Sequence, residues 1–215
     1  MYPHQVSIEA ALCLNKIGEL QRRSNRAEKA RRTFESCVDI LLRLVSPQDQ
    51  VLITPLYNLG VSLHAEQNYS DGQLAYERAI QIDQSVHGDW HVEAANMYDN
   101  LGVLLSEQEK YQEALPYLEK ALALYRRKYG DAHKEVSLSL NNIALVVRCL
   151  GDHATAISLY SESLLILRGL ADGTAQVPLQ LKLGTSCVRL FSTRLEGLIE
   201  MLYLCTVSPF YFTLH

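Results

Sequence analysis

The sequence predicts an all-α protein in which antiparallel helix pairs stack into a solenoid, and two patterns carry this prediction. The first is self-similarity at an interval of 42 residues: the tripeptide Asn-Leu-Gly at 58–60 returns at 100–102 and, as Asn-Ile-Ala, at 142–144. The second is the helical spacing of apolar residues within each interval. We therefore expect at least eight helices wound as a right-handed superhelix, with no β-sheet.

Further columns of residues keep the same register and indicate where the helices pack. Two columns hold mostly small residues, as needed where helices approach closely, and one holds large residues, as needed where a gap must be filled. The small columns are Ala30, Gly72, Ala114, Ala156 and Cys37, Ala79, Ala121, Ser163, and the large column is Phe34, Tyr76, Leu118, Tyr160.

Each unit contains a first helix, a polar break and a second helix. In the third unit, Tyr98, Leu101 and Leu105 share one apolar stripe of a first helix. Gly88 and Gly130 follow second helices and are typical of helix C-termini. The array is expected to span 7–184, with units at about 7–46, 50–88, 91–130 and 133–170 and the start of a degenerate fifth at 177–184. The apolar tail at 185–215 abandons the repeat and is a possible cap.

Composition narrows the class of protein. Hydrophobic residues make up 48% and charged residues 20%, as in ordinary globular proteins. We expect no signal peptide and no transmembrane segment. The five cysteines are scattered without any CxxC, which predicts small buried residues in a reducing compartment and a cytoplasmic location. The net charge of −4 is uneven, +3 over 1–44 and −6 over 45–129, which argues against nucleic-acid binding and favours a protein ligand.

These repeats resemble the tetratricopeptide repeat (TPR) family, whose small-residue positions match Gly60, Gly102, Ala114 and Ala121. The long period is similar to that of the kinesin-light-chain and nephrocystin-3 type, which has Gly-x-x-His linkers and Asn-Asn-Leu-Ala-like helix starts. The linkers here lie at 88–91 and 130–133, and the starts at 57–60, 99–102 and 141–144. The proline that usually follows the linker histidine is replaced by Val92 and Lys134.

The resemblance implies a non-catalytic scaffold that holds extended peptide segments of partner proteins in its concave face. Two alternatives remain: a kinesin-light-chain-like cargo adaptor, and the regulatory arm of an enzyme complex. The chain shows no heptad coiled coil of the kind that joins kinesin light chains to the motor heavy chain, which argues against a motor subunit.

The candidate binding residues centre on an asparagine ladder formed by Asn58, Asn100 and Asn142. These positions should point from the helix seam toward the concave groove, where an amide can pair with a peptide backbone. Alternatively, the amides bond a neighbouring helix. The other predicted groove residues are Asn15, Lys16, Arg22, Arg23, Tyr57, His64, Asn96, Asn141 and Arg148. Arg22 and Arg23 are expected to receive acidic side chains of the ligand.

Catalytic, cofactor-binding and metal-binding motifs are not expected. No GxSxG, HExxH, P-loop or GxGxxG sequence occurs. His87 and His91 have a spacing that can bind metal on a helix, but Gly88 lies between them and should break the helix. We therefore expect the linker histidines His91 and His133 to bond backbone and cap the next helix rather than bind metal.

Overall fold

A computed structural model describes residues 7–171, which form eight α-helices and two short 3-10 helices. The α-helices are α1 (Ile8–Arg23), α2 (Ala27–Leu44), α3 (Ile53–Ala65), α4 (Tyr69–His87), α5 (Ala95–Glu107), α6 (Tyr111–Tyr129), α7 (Lys134–Cys149) and α8 (His153–Ala171). The 3-10 helices are Gln50–Leu52 and Val92–Ala94, before α3 and α5. No strand occurs within residues 7–171, so the predicted all-α class is confirmed.

The helices form four consecutive pairs, and the second helices begin at Ala27, Tyr69, Tyr111 and His153, each 42 residues after the one before. One pair falls within each of the first three predicted units, and the fourth pair extends one residue beyond its unit, to Ala171; the unit boundaries stay a prediction. The predicted fifth unit and the tail at 185–215 lie outside the described residues.

The turn inside each pair passes through the left-handed backbone region. The φ angle is 57° at Asn25, 60° at Gln67, 61° at Glu109 and 92° at Gly151, again at intervals of 42 residues. Only the last of these four is glycine, the residue that adopts this conformation without strain. Gly88 and Gly130, with φ of 81° and 80°, end α4 and α6 as the sequence predicts.

Within each of the first three pairs, a glycine of the first helix faces a large side chain of the second, and Ala144 takes the glycine position in the fourth pair. A Cβ atom built on Gly60 would lie 2.8 Å from ring atoms of Tyr76, and one on Gly102 would lie 2.6 Å from Cγ of Leu118. Gly18 faces Phe34 in the same way. Tyr76, Leu118 and Phe34 are fully buried, so this column fills the seam between the paired helices.

Successive first helices, α1, α3, α5 and α7, contact one another more extensively than successive second helices do. Hence the first helices lie on the inner side of the stack, where a TPR solenoid forms its concave surface. All the predicted groove residues lie on these first helices, and their place on the concave surface stays a prediction.

Two remaining expectations concern burial and membranes. Cys37 is buried, but Cys13 and Cys149 are exposed, so the prediction of buried cysteines is wrong for those two. Both lie on the solvent side of a first helix, where a cysteine is not needed for packing. No helix within 7–171 is long and apolar enough to cross a bilayer.

Candidate functional site

A regular series of hydrogen bonds joins the first helices of consecutive repeats. In each bond the amide nitrogen of a ladder asparagine donates to the repeat before it, across a separation of 43 residues. The bonds run from Asn58 to Asn15 Oδ1 at 3.1 Å, from Asn100 to the Tyr57 hydroxyl at 2.9 Å, and from Asn142 to Asp99 Oδ1 at 3.2 Å. The ladder therefore fastens each repeat to its neighbour.

This geometry bears on the two roles that the sequence leaves open for the ladder. Each amide nitrogen bonds a neighbouring helix, which is the second of the two roles. Asn58 is 5% exposed, whereas Asn100 and Asn142 are only partly buried. Contact between the ladder and a peptide stays a prediction, and Asn100 and Asn142 are its accessible members.

The basic end of the predicted groove lies in α1. Asn15 is buried and donates to Glu19 Oε1 at 3.0 Å, while the exposed Lys16 pairs with Glu19 Oε2 at 3.1 Å. Arg22 and Arg23 are exposed in the last turn of the helix. They are thus accessible to a ligand, whereas Asn15 is buried and its side chain bonds other residues of the protein.

Tyr57 and Asp99 occupy equivalent positions in successive repeats and have perturbed pKa values. Burial raises the pKa of Tyr57, against the opposing effects of the hydrogen bond from Asn100 and the positive charge of Arg22. Burial also raises the pKa of Asp99 to about 6, although the hydrogen bond from Asn142 opposes the rise. The middle of the predicted groove therefore holds a carboxylate that costs free energy to keep ionised.

The other predicted residues spread along α3, α5 and α7. His64 Nε2 lies 3.0 Å from Glu107 Oε2, again across 43 residues, and this bond holds the pKa of Glu107 below its usual range. Asn96 is exposed and accepts a hydrogen bond from the Tyr125 hydroxyl at 2.7 Å. Asn141 and Arg148 are partly buried on α7. The predicted set is therefore a polar strip along the first helices rather than one pocket.

A cavity of about 300 Å³ joins part of this strip to the linker between the second and third repeats. Tyr57 and Asn96 line it, together with Asp83, His87 and His91. The Nδ1 atoms of His87 and His91 lie 3.0 and 2.7 Å from Asp83 Oδ1, and the two imidazole rings stack with centroids 4.2 Å apart. The break at Gly88 therefore brings the histidines together, contrary to the sequence argument that it would separate them.

The two linker histidines also differ in role. His133 Nδ1 accepts from the backbone N–H of Glu135 at 3.2 Å, so the predicted cap is confirmed there. His91 precedes Val92–Ala94 without any side-chain cap, and its ring bonds Asp83 and Glu93 instead. The prediction of a backbone cap is wrong for His91, because two nearby carboxylates compete with the backbone for the ring.

Asp83, Glu93 and Glu107 are among the contacting residues that the predicted set does not contain. Asp83 precedes His87 and His91 by four and eight residues, a spacing visible in the sequence. Glu107 follows His64 by 43 residues, as the ladder donors follow their acceptors. The repeat period plus one residue was the signal that would have identified the contacts between repeats.

These features define a class of protein: a helical repeat array whose inner face presents polar side chains bonded from one repeat to the next. The model of the tetratricopeptide repeat matches residues 51–127 and, overlapping them, 93–169. The chain therefore belongs to the tetratricopeptide repeat family. Such repeats serve generally as scaffolds for protein–protein interaction.

Solved structures support the fold. The crystal structure of BtubC (BKLC) from P. vanneervenii is 19% identical with a TM-score of 0.72, over 85% of this chain and 72% of that one. A putative kinesin light chain from Podosopora anserina with nearly identical TPR-like repeats is 14% identical with a TM-score of 0.64, over 77% and 78%. MamA is 16% identical with a TM-score of 0.60, over 79% and 83%. A sequence search of curated proteins found no match.

Proposed function

We propose that this chain is a non-catalytic, cytoplasmic scaffold whose first-helix face binds an extended, partly acidic peptide segment of a partner protein. The observation that carries the proposal is the polar strip, which repeats with the solenoid along α1, α3, α5 and α7. An extended peptide presents its backbone groups at regular intervals, so a row of hydrogen-bonding side chains suits it better than a compact ligand does. The peptide would lie across several repeats.

The ladder contributes through the parts of Asn100 and Asn142 that remain accessible. Each amide has a carbonyl oxygen and a second N–H besides the N–H that bonds the preceding repeat, so it can hold its neighbour and bond a ligand together. The bond to the neighbouring helix also fixes the side-chain rotamer before a ligand arrives. A fixed rotamer lowers the entropy cost of binding.

Charge sets the direction of the peptide. Lys16, Arg22 and Arg23 are exposed at the α1 end, whereas Asp99 and Glu107 lie further along the strip. Acidic ligand residues therefore bind near α1, and the middle of the strip disfavours them.

The test starts from a displayed library of short unstructured peptides, selected on the full chain and then titrated by fluorescence anisotropy. For a ligand that binds at about micromolar strength, or roughly −8 kcal/mol, Asn100→Ala combined with Asn142→Ala should weaken binding more than tenfold. Arg22→Ala combined with Arg23→Ala should weaken it at low salt and matter less at high salt, because exposed charges are screened.

Two controls separate ligand contact from damage to the array. Tyr57→Phe removes the bond between repeats at Asn100 and any contact of the Tyr57 hydroxyl with the peptide, but leaves the amide in place, so it should cost clearly less affinity than Asn100→Ala. Arg127→Ala removes an exposed arginine from α6, a second helix, and should change nothing. If the asparagine double variant binds as tightly as the parent, the groove is not the site. If Tyr57→Phe loses as much affinity as Asn100→Ala, the ladder acts only through the stacking of repeats.

A further inference from the structure

The linker between the second and third repeats brings together three side chains that can ligate a metal. Asp83, His87 and His91 each offer a ligand atom, and these atoms lie within 4.8 Å of one another. Asp83 stands in the last turns of α4, His87 ends that helix, and Gly88 turns the chain back so that His91 stacks on His87. Both imidazoles direct Nδ1 at the same carboxylate oxygen, Oδ1 of Asp83.

The next repeat shows that the fold does not require this chemistry. The residues 42 positions later are Tyr125, Tyr129 and His133, so the carboxylate and one imidazole are replaced by phenols. The ring stack persists there, since Tyr129 and His133 have centroids 4.1 Å apart. Stacking is therefore a property of the linker, whereas the ligand set belongs to one repeat alone among those that the structure describes.

The carboxylate of Asp83 is buried, which costs folding free energy. It is 2% exposed, and its second oxygen, Oδ2, is buried with no hydrogen-bond partner among the described residues. Burying a carboxylate with one oxygen unpaired costs free energy unless a compensating charge is present. The side chain lines the cavity of about 300 Å³, which has room for an ion and its water.

We propose that Asp83, His87 and His91 form a binding site for a divalent transition metal of the zinc class. Zinc takes imidazole nitrogen and carboxylate oxygen as ligands at about 2.0–2.2 Å. In a tetrahedral site, ligand atoms at such bond lengths are about 3.3 Å apart. The observed 3.0 and 2.7 Å contacts open to that separation by small side-chain rotations. Asp83 Oδ1 and the two Nδ1 atoms give three ligands, and a water molecule in the cavity completes the fourth position.

Glu93 supports this assignment because it contacts the ring nitrogen of His91 that does not face Asp83. Its Oε2 lies 3.0 Å from Nε2 of His91, and its Oε1 lies 3.7 Å from Lys128 Nζ. When Nε2–H donates to this carboxylate, the neutral ring presents a bare Nδ1 to the ion. Metal-ligating histidines are commonly held by a carboxylate in this way.

The test uses the full chain, stripped with a chelator and titrated with ZnCl₂ by isothermal titration calorimetry. Co²⁺ serves as a second probe, because its visible absorption reports coordination geometry. His87→Tyr installs the side chain that the next repeat carries at this place, where a tyrosine already stacks on a linker histidine, so this variant should fold. His133→Ala is the matched control, because it removes the equivalent linker histidine from a repeat that lacks the other two ligands.

The parent chain and His133→Ala are expected to bind one equivalent of Zn²⁺ with the same affinity, and His87→Tyr to bind at least tenfold more weakly. At the same zinc concentration, zinc should also raise the thermal unfolding midpoint of the parent by more than that of His87→Tyr. The proposal is overturned if the parent binds no stoichiometric zinc. It is equally overturned if His87→Tyr retains the parent's affinity, which would place the ion elsewhere, for example at cysteines, or if His133→Ala loses it to the same extent.

Discussion

The close contact between Gly102 and Leu118 leads to a quantitative prediction about the seam inside each repeat. A Cβ at position 102 would lie 2.6 Å from Cγ and Cδ2 of Leu118 and 3.3 Å from the backbone oxygen of Ala114. Leu118 is fully buried, and Cγ is the branch atom of its side chain, so the leucine cannot retreat without moving its whole rotamer. We expect Gly102→Ala to force α5 and α6 apart.

Two opposing terms determine the size of the effect. Overpacking a filled core position costs about 1–3 kcal/mol. Replacing glycine by alanine inside a helix stabilises the folded chain by about 0.8–1.0 kcal/mol through helix propensity. Gly169 in α8 isolates the second term, because a Cβ there meets no atom within 4 Å. Gly169→Ala should therefore stabilise the chain by up to about 1 kcal/mol, and Gly102→Ala should be about 1–3 kcal/mol less stable than that control.

The assay is urea unfolding followed by far-UV circular dichroism, with a double-mutant cycle on Gly102 and Leu118. In the Leu118→Ala background the obstructing atoms are absent, so Gly102→Ala should become stabilising. The coupling energy should be about 1–3 kcal/mol. A coupling energy near zero, or equal gains from Gly102→Ala and Gly169→Ala, would refute the claim that the glycine column exists to admit the large side chain.

Three further predictions concern packing, pH and the turns. Ala114→Leu should overpack the same seam and lower the free energy of unfolding by about 1–3 kcal/mol, as measured by urea unfolding; a neutral result would mean that this small-residue column is not an interface. Because the pKa of Asp99 is raised to about 6, the folded chain binds a proton at this carboxyl more tightly than the unfolded chain does. The ionised carboxylate therefore destabilises the folded chain above pH 6, and this destabilisation is lost as the pH falls toward about 4. Asp99→Asn should therefore stabilise the chain by about 1–3 kcal/mol at pH 7.5, and the gain should shrink toward pH 4.5 in thermal melts at both pH values. Glu109→Gly should raise stability by up to about 1–2 kcal/mol, because the φ of 61° strains any residue with a Cβ; an unchanged unfolding midpoint would contradict this.

The period and pairing of the helices followed from the sequence because they depend on local, repeated chemistry. A small residue facing a large one at every interval identifies the seam, as Gly60 with Tyr76 illustrates. The linker glycines could also be predicted, since a helix that ends at Gly88 needs a residue with positive φ. The turns inside each repeat were harder to predict, because Gln67 and Glu109 also have positive φ but are not glycine.

The candidate sites needed the tertiary structure because their side chains choose partners from different helices. The sequence placed Asn100 on the inner face of a first helix, but only the stacking of repeats decided that its amide would bond Tyr57. Sequence reasoning treated the break at Gly88 as a separation, whereas the folded linker returns His91 to Asp83. Helix periodicity thus determined which residues form the array, and the packing of one repeat on the next decided which of them meet, since hydrogen bonds and metal ligation depend on distances that no one-dimensional pattern contains.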